Sequence, residues 1–284
     1  MTATDSIVYL NGQFLPIGEA KVSVLDRGFL FGDGVYEVIP VYGGKPFRLE
    51  EHLRRLDNSL AGIRMTTPLS AAQWAELFAR LIQGEEDQSI YLQITRGAPA
   101  KRDHAFPKEP VAPTVFALCS PIAPIPASGV GAITVADIRW DWCHIKAVTL
   151  LANVLLRQQA VDRGCAEAIL IRAGEAVEGA ASNLFAVIDG VLATPPKGHQ
   201  ILPGITRDLV VELAAANAIP LQERPIAEAE LRDASEIWVT SSTREVLPIV
   251  ELDGKAVGGG VPGPVWQRMN GLYQAFKQTL RNRQ

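Results

Sequence analysis

The 284 residues include only three cysteines, Cys119, Cys143 and Cys165, an odd number with no Cys-x-x-Cys spacing. A disulfide framework is therefore not expected, and reduced thiols in a cytoplasmic protein are the simplest account. Positive charge is also scarce. With 27 basic residues against 31 acidic ones, the formal net charge is −4, whereas nucleic-acid binders usually carry a basic excess or stripe. No apolar run reaches the length of a membrane span. The opening, Met1-Thr-Ala-Thr-Asp-Ser-Ile-Val-Tyr-Leu10, lacks a basic region followed by an apolar core, so no secretory leader is expected. There is no clustered set of metal ligands and no Walker-type loop to serve a nucleotide. Internal repeats and low-complexity segments are missing too.

What is present describes an ordinary globular chain. Hydrophobic residues make up 48% and charged residues 20%, and this length supports one large or two modest domains with ample core. Ile7–Leu10 and Gln13–Leu15 flank Asn11-Gly12, a strong hairpin signal. Val35–Tyr42 is apolar and β-rich, and Gly43-Gly44-Lys45 turns the chain into Pro46–Arg48. Leu53, Leu56, Leu60 and Ile63 predict a helix over 50–63. Ser70 is placed to cap a second helix through Leu81, with Trp74, Leu77, Phe78 and Leu81 on one face. Strands are expected over Ser89–Thr95 and Thr114–Cys119.

The stretch Pro121-Ile-Ala-Pro-Ile-Pro-Ala-Ser-Gly129 carries three prolines in six residues. Proline fixes an extended backbone and cannot donate ladder hydrogen bonds. The interdomain linker is therefore expected at 121–129, between domains 1–120 and 130–284. The second half reads as strand Ala132–Ile138, helix Leu150–Arg163 stopped by Gly164, strands Glu167–Arg172 and Leu184–Ile188, and a turn at Asp189-Gly190. Helix Thr206–Ala218 and strands Glu236–Thr240 and Val246–Leu252, closed by Asp253-Gly254, complete two α+β domains.

Chemistry-bearing residues gather in a few motifs. Lys146 ends the run Asp137-Ile-Arg-Trp-Asp-Trp-Cys-His-Ile-Lys146, and Glu178 opens Glu178-Gly-Ala-Ala-Ser-Asn183, thirty-two residues after the lysine. An amine that condenses with an aldehyde and an acid that keeps a ring nitrogen protonated are the protein's half of pyridoxal phosphate chemistry. A nucleophilic lysine must shed its proton, which partial burial and a neighbouring cation favour. Alone, Lys146 also reads as a lysine reaching to solvent from a strand end, Arg139 as a partner of Asp137 or Asp141, and Glu178 as an exposed turn residue. In Ile201-Leu-Pro-Gly-Ile-Thr206, Gly204 permits close backbone approach and the following helix start offers free N–H groups to an anion. Thr206 suits a helix cap or a phosphate contact. Arg54 and Arg55 both read equally as solvated helix residues. Arg102 and His104 alternate in the loop Arg96-Gly-Ala-Pro-Ala-Lys-Arg-Asp-His104, so an extended backbone would turn both donors the same way. His52, His144 and His199 carry no motif.

Taken together and in this order, these segments resemble the fold-type IV aminotransferases, and among them those acting on D-amino acids. The resemblance runs from Asn11-Gly12 to Asp253-Gly254. It implies a two-domain α+β architecture with the cofactor, pyridoxal 5'-phosphate, between the domains. It further implies that Lys146 bonds the cofactor covalently and shuttles protons, that Glu178 binds the pyridine nitrogen, and that Arg139 supports the hydrogen bonds on that side of the ring. Ser182 and Asn183 belong to the Glu178 signature as cofactor-binding residues. Arg55, Ile205, Thr206 and Ser242 would form the phosphate cup. Tyr36, in Asp33-Gly-Val-Tyr-Glu-Val38, would bind the substrate carboxylate with Arg102 and His104, the last two supplied by the neighbouring subunit of a homodimer. Many relatives have serines where this chain has Ala180 and Ala181, leaving only backbone contacts there.

The activity so implied is transamination between a D-amino acid, D-alanine foremost, and a 2-oxo acid such as 2-oxoglutarate, giving pyruvate and D-glutamate. Small-molecule substrates are expected, with no nucleic-acid or membrane partner. A branched-chain L-amino acid aminotransferase, an aminodeoxychorismate lyase and an (R)-amine transaminase share the fold and remain alternatives. A cofactor-free binding protein of the same fold is the rival from another class.

Overall fold

A computed structural model describes residues 6–282. Residues 1–5 of the opening read above for a leader lie outside the described residues. The chain divides into two compact units. One comprises the chain up to Ile122 together with Ile145–Thr149, the other Ala123–His144 and the chain from Leu150 onward.

In the first unit, β1 (Ile7–Leu10) and β2 (Gln13–Pro16) form the hairpin that Asn11-Gly12 predicts. Both turn residues have positive φ, +49° and +94°, the twist a two-residue hairpin needs. A short helix α1 (Arg27–Phe31) leads into β3 (Gly34–Tyr42), β4 (Lys45–Pro46), α2 (Leu49–Gly62) and α3 (Ala71–Leu81). Strands β5 (Gln88–Thr95) and β6 (Thr114–Pro121) follow. Ser70 and Gln73 make the expected cap as a reciprocal pair at the start of α3. The strands form an antiparallel sheet in the order β2-β1-β6-β5-β3-β4. One face is dry: Ile39, Leu56, Leu60, Phe78 and Ile90 are all 0% exposed. Burying each such side chain is worth about 2 kcal/mol before the entropy of ordering is counted. Strand alternation leaves Tyr36, Tyr91 and Phe116 half-buried on the opposite face.

The segment Ile145–Thr149 was expected within the second domain but packs with the first unit. Its backbone lies beside β3, where Tyr36 N donates to Lys146 O at 2.9 Å and Val148 N to Gly34 O at 3.0 Å. Ile145 and Ala147, 5% and 7% exposed, turn into the dry core. Apolar side chains on either side of Lys146 explain the allegiance, and the proline-rich linker alone could not reveal it.

The second unit opens with β7 (Val130–Ala136), α4 (Leu151–Asp162), β8 (Glu167–Arg172), β9 (Glu175–Gly179), β10 (Asn183–Ile188) and β11 (Val191–Thr194). Next come α5 (Ile205–Ala216), β12 (Leu221–Glu223), β13 (Ile226–Ala227), α6 (Glu228–Asp233), β14 (Glu236–Ser241), β15 (Glu245–Leu252), β16 (Lys255–Ala256) and α7 (Pro264–Asn282). The main sheet runs β12-β11-β10-β14-β15-β7-β8-β9-β13, with β16 paired to β15. The β7–β8 pair is parallel and is crossed by α4; β11–β12 is parallel and is crossed by α5. Parallel neighbours that follow each other along the chain need such a crossover; β15 also pairs in parallel with β7, from which it is distant in sequence. No helix among the described residues is long and apolar enough to cross a membrane.

Candidate active site

Glu178 lies on β9, a strand the sequence hides because its five residues include only two apolar side chains, Ala176 and Val177. The signal that betrays it is Ala173-Gly174, both at positive φ, +52° and +82°, which closes a tight hairpin from β8. Leu170 pairs with Glu178 but its neighbour Ile171 pairs with Ala176, so Val177 is the extra residue of a bulge. Bulges re-aim the side chains beside them. Glu178 is 4% exposed and accepts from Asn183 Nδ2 at 3.2 Å and from Leu202 N at 3.1 Å. Arg139 Nη1 also donates to Glu178 Oε1.

Arg139 makes the Asp137 pairing considered for it and also reaches Glu178. Its Nε and Nη2 bond Asp137, both at 2.9 Å, and Nη1 is left for Glu178. Asp141 pairs with Arg172 instead, and Arg172 also reaches Asp137 at 2.9 Å. Burial disfavours charge on Asp137, but these two guanidinium groups hold its carboxyl below the ordinary range. Glu178 has only a share of one guanidinium. Burial there outweighs Arg139 and pushes the carboxyl up to about 7.

The remaining members of the signature divide. Asn183 stands beside Glu178, and its Nδ2 also bonds Leu202 O at 2.8 Å. Ser182 turns away: its hydroxyl donates to the fully buried Glu167 at 2.8 Å, which also accepts from Arg244 at 3.1 Å. The Ser182–Glu167 bond shapes the turn between β9 and β10. The backbone contacts left open at Ala180 are also occupied within the fold. Its N–H donates to Ala168 O at 2.9 Å, and its carbonyl accepts from Asn153 at 2.8 Å. Ala181 is exposed.

Helix α5 starts one residue earlier than expected, at Ile205, with Gly204 as its cap residue and no side-chain cap bond. Thr206 therefore sits inside the first turn and does not cap the helix. The first intrahelical bond is Asp208 N to Gly204 O, so the N–H groups of Ile205, Thr206 and Arg207 precede the ladder. Ile205 and Thr206 are 7% and 3% exposed. Donors and dipole at such a helix start favour an anion. A Cβ on Gly204 would lie 1.9 Å from Asn183 Oδ1, so glycine is what lets this helix start close on Asn183. Thr240 pairs with Asn183 across β14 and β10, and its buried hydroxyl lacks a partner. Ser242 is half-buried in the turn after β14.

In the first unit, Lys146 is half-buried. Its N–H donates to Ser59 Oγ at 3.1 Å, and its Nζ stands 4.3 Å from the centre of the Tyr36 ring. Tyr36 is therefore beside the lysine, on the half-buried face of β3. Arg54 and Arg55, indistinguishable in sequence, separate clearly. Arg54 is exposed and pairs with Glu50, while Arg55 is buried and gives two bonds of 2.8 Å to Glu37. His52 Nδ1 lies 2.8 Å from the same carboxylate. Burial alone would raise the Glu37 carboxyl, but Arg55 and His52 hold it well below the usual range. Burial holds His52 below its ordinary range, and with a carboxylate as partner its Nδ1 is the donor. Glu37 lies within the Tyr36 motif but carries no role there, and His52 carries no motif. Their signal is position: Glu37 falls on the apolar-facing register of β3, and His52 lies three residues before Arg55.

Arg102 and His104 are both exposed, and both lie against one ring. Arg102 Cζ is 4.7 Å, and the His104 ring 5.2 Å, from the centre of Phe31. The alternation read from the loop does bring the pair to one place.

The donor set suits pyridoxal phosphate. The second unit offers a buried acid for a ring nitrogen and a buried, uncapped helix start for a phosphate, with the partnerless Thr240 hydroxyl on the strand beside Asn183. The first unit offers a half-buried amine for an aldehyde. Residues 34–252 match the family model for amino-transferase class IV. The chain is 39% identical to the D-alanine aminotransferase of Staphylococcus aureus (strain MW2) over 275 residues, covering 95% of this chain and 97% of that one. Among solved structures, it resembles the branched-chain aminotransferase of Thermoproteus uzoniensis with norvaline at a TM-score of 0.86 and 30% identity, with 96% and 95% of the two chains covered. The T.th. branched-chain amino acid aminotransferase complexed with N-(5'-phosphopyridoxyl)-L-glutamate gives 0.88 and 29%, with 98% and 96% covered. The chain belongs to the class IV aminotransferases, with their two-domain α+β fold.

Proposed function

We propose that this aminotransferase moves an amino group between a D-amino acid, D-alanine foremost, and a 2-oxo acid such as 2-oxoglutarate, yielding pyruvate and D-glutamate. The observation that carries the reading is the convergence of Arg102 and His104 on Phe31. Two cationic or hydrogen-bonding donors fixed at one point form a trap for a single carboxylate. The similarity to D-alanine aminotransferases supports it.

Pyridoxal phosphate, when bound, supplies an aldehyde for amines and a ring that accepts electrons. The chain's own residues do the rest. Lys146 would hold the cofactor through its aldehyde, and its Nζ is the amine that would move a proton at the substrate α-carbon. Glu178 would keep the ring nitrogen protonated, and Arg139 and Asn183 hold Glu178 in place. Ile205, Thr206 and Ser242 would bind the phosphate, and Arg55 would add charge to it. Tyr36, Arg102 and His104 hold the substrate carboxylate so that one face of the α-carbon meets the lysine. Arg102 and His104 serve the neighbouring subunit of a homodimer.

The resemblance to branched-chain enzymes favours a second reading, an L-specific aminotransferase. The visible spectrum of the cofactor-loaded protein separates the two. Bleaching of the absorption band by D-alanine and not by L-valine supports D-specific transamination. Bleaching by L-valine alone overturns the specificity and keeps the aminotransferase.

A further inference from the structure

The loop between β5 and β6 carries Arg102 and His104 but has no strand or helix of its own from Arg96 to Pro113, and residues 100–106 are all exposed. Ordering such a loop costs backbone entropy, so something must hold it. The holder is buried beneath it. Arg27, on α1 and 3% exposed, points its guanidinium at three consecutive carbonyls: Nη1 donates to Asp103 O at 2.6 Å and Ala105 O at 3.1 Å, and Nη2 to His104 O at 3.2 Å.

The guanidinium is itself anchored. Arg27 Nε bonds Asp33 Oδ2 at 2.7 Å, and Arg96 bonds both oxygens of Asp33 at 2.7 and 2.9 Å while reaching Ile63 O at 2.6 Å. Asp33 thus joins the cation at the root of the loop, Arg96, to the cation on α1 that holds its tip, Arg27. Phe31 completes the assembly. Its ring lies 4.9 Å from Arg27 Cζ and 4.7 Å from Arg102 Cζ, so both guanidinium groups stand against the same side chain.

We propose that Arg27 is a positioning residue for substrate recognition, clamping the carbonyls of Asp103, His104 and Ala105 so that Arg102 and His104 converge on one substrate carboxylate. The inference rests on the D-amino acid reading given above. Charge alone is not sufficient for the role. Three carbonyls and one carboxylate lie in four directions around a planar fork, and an ammonium group on a single stem does not span them.

The test compares the purified, cofactor-loaded enzyme with its Arg27→Lys and Arg27→Gln variants. Two readouts are needed: hydrogen exchange of the backbone amides over 98–106, and KM and kcat for D-alanine. The clamp predicts faster exchange in the loop and a KM raised about tenfold or more, with the loss falling on KM rather than kcat, because several charge-assisted hydrogen bonds are removed at once. If the Gln variant does not fold, the Lys variant, which retains charge beside Asp33, decides alone. Unchanged exchange overturns the clamp. Faster exchange with unchanged KM overturns the substrate role. An Arg102→Leu variant with normal KM for D-alanine would instead locate the failure in the carboxylate trap itself.

Discussion

Glu37 holds Arg55 by two parallel bonds, both 2.8 Å long, with the side chains 0% and 6% exposed. A forked pair this dry is costly to break from one side, because the surviving partner stays buried and uncompensated. The same carboxylate fixes the guanidinium to which the proposed function gives the cofactor's phosphate.

Glu37→Gln should therefore destabilise the protein by about 3–5 kcal/mol and weaken cofactor binding as well. The pH dependence has a definite sign. The folded carboxyl lies below its ordinary 4.5, so its contribution is present above that value and is lost as pH falls toward the depressed one. Chemical denaturation of both proteins at pH 7 and pH 4 checks this. The gap between them should shrink at the lower pH, and an equal gap at both would count against a charged Glu37.

Gly204 tests the phosphate cup without removing any of its donors. An alanine Cβ would force Asn183 away, since the separation is 1.9 Å, and Asn183 bonds both Glu178 and Leu202 O. Gly204→Ala should cost about 1–3 kcal/mol of stability by overpacking. Loss of a hydrogen bond to a charged group should also weaken pyridoxal phosphate binding roughly tenfold or more. Titration of the apoprotein followed by visible absorption measures it. Unaltered affinity would remove Asn183 and the helix start from the cofactor site.

The helices and strands were legible where periodicity is strong. Ser70, Trp74, Leu77, Phe78 and Leu81 announce α3, and Asn11-Gly12 announces the first hairpin. Strand β9 was not legible, because five residues with a bulge show no alternation. Helix α7 was missed although Trp266, Met269 and Tyr273 recur at helical spacing and are buried. Within the site, motif order singled out Lys146, Glu178, Asn183 and Thr206. It could not show that Ser182 bonds Glu167 or that Ile145–Thr149 packs with the first unit. Both depend on partners far away in the sequence. Arg27 and Asp33 were invisible for the same reason: Arg27 clamps residues 76 to 78 positions away.

Glu178 carries a different pH signature from Glu37. Burial raises its carboxyl to about 7 from 4.5, so in the apoprotein its contribution to stability is greatest below 4.5 and declines as pH rises through 7. Glutamine cannot titrate. Apoprotein with Glu178→Gln should match the wild type near pH 5 and exceed it above pH 7 by at most about 3 kcal/mol, while transamination is lost because an amide cannot keep the ring nitrogen protonated. Thermal unfolding of the two apoproteins from pH 5 to 8.5 measures the crossover. A variant less stable at every pH would show that Glu178 is held charged by Arg139.

Lys146 offers the most direct test, and its surroundings make the variant interpretable. The bonds that fix this segment are made by backbone: Lys146 O accepts from Tyr36 N, and Lys146 N donates to Ser59 Oγ. Alanine keeps both, and the buried anchors Ile145 and Ala147 are untouched. Lys146→Ala should thus fold with stability near that of the wild type, in contrast to Glu37→Gln. Borohydride treatment of the cofactor-loaded wild type should leave the cofactor covalently fixed on the peptide containing Lys146, and the variant should carry none. Its turnover should fall by at least the 10²–10⁴-fold typical of a lost general base. Cofactor fixed elsewhere on the variant, with activity retained, would assign both roles to another amine. Loss of fixation with unchanged turnover would separate cofactor attachment from proton transfer and leave the second role to another group.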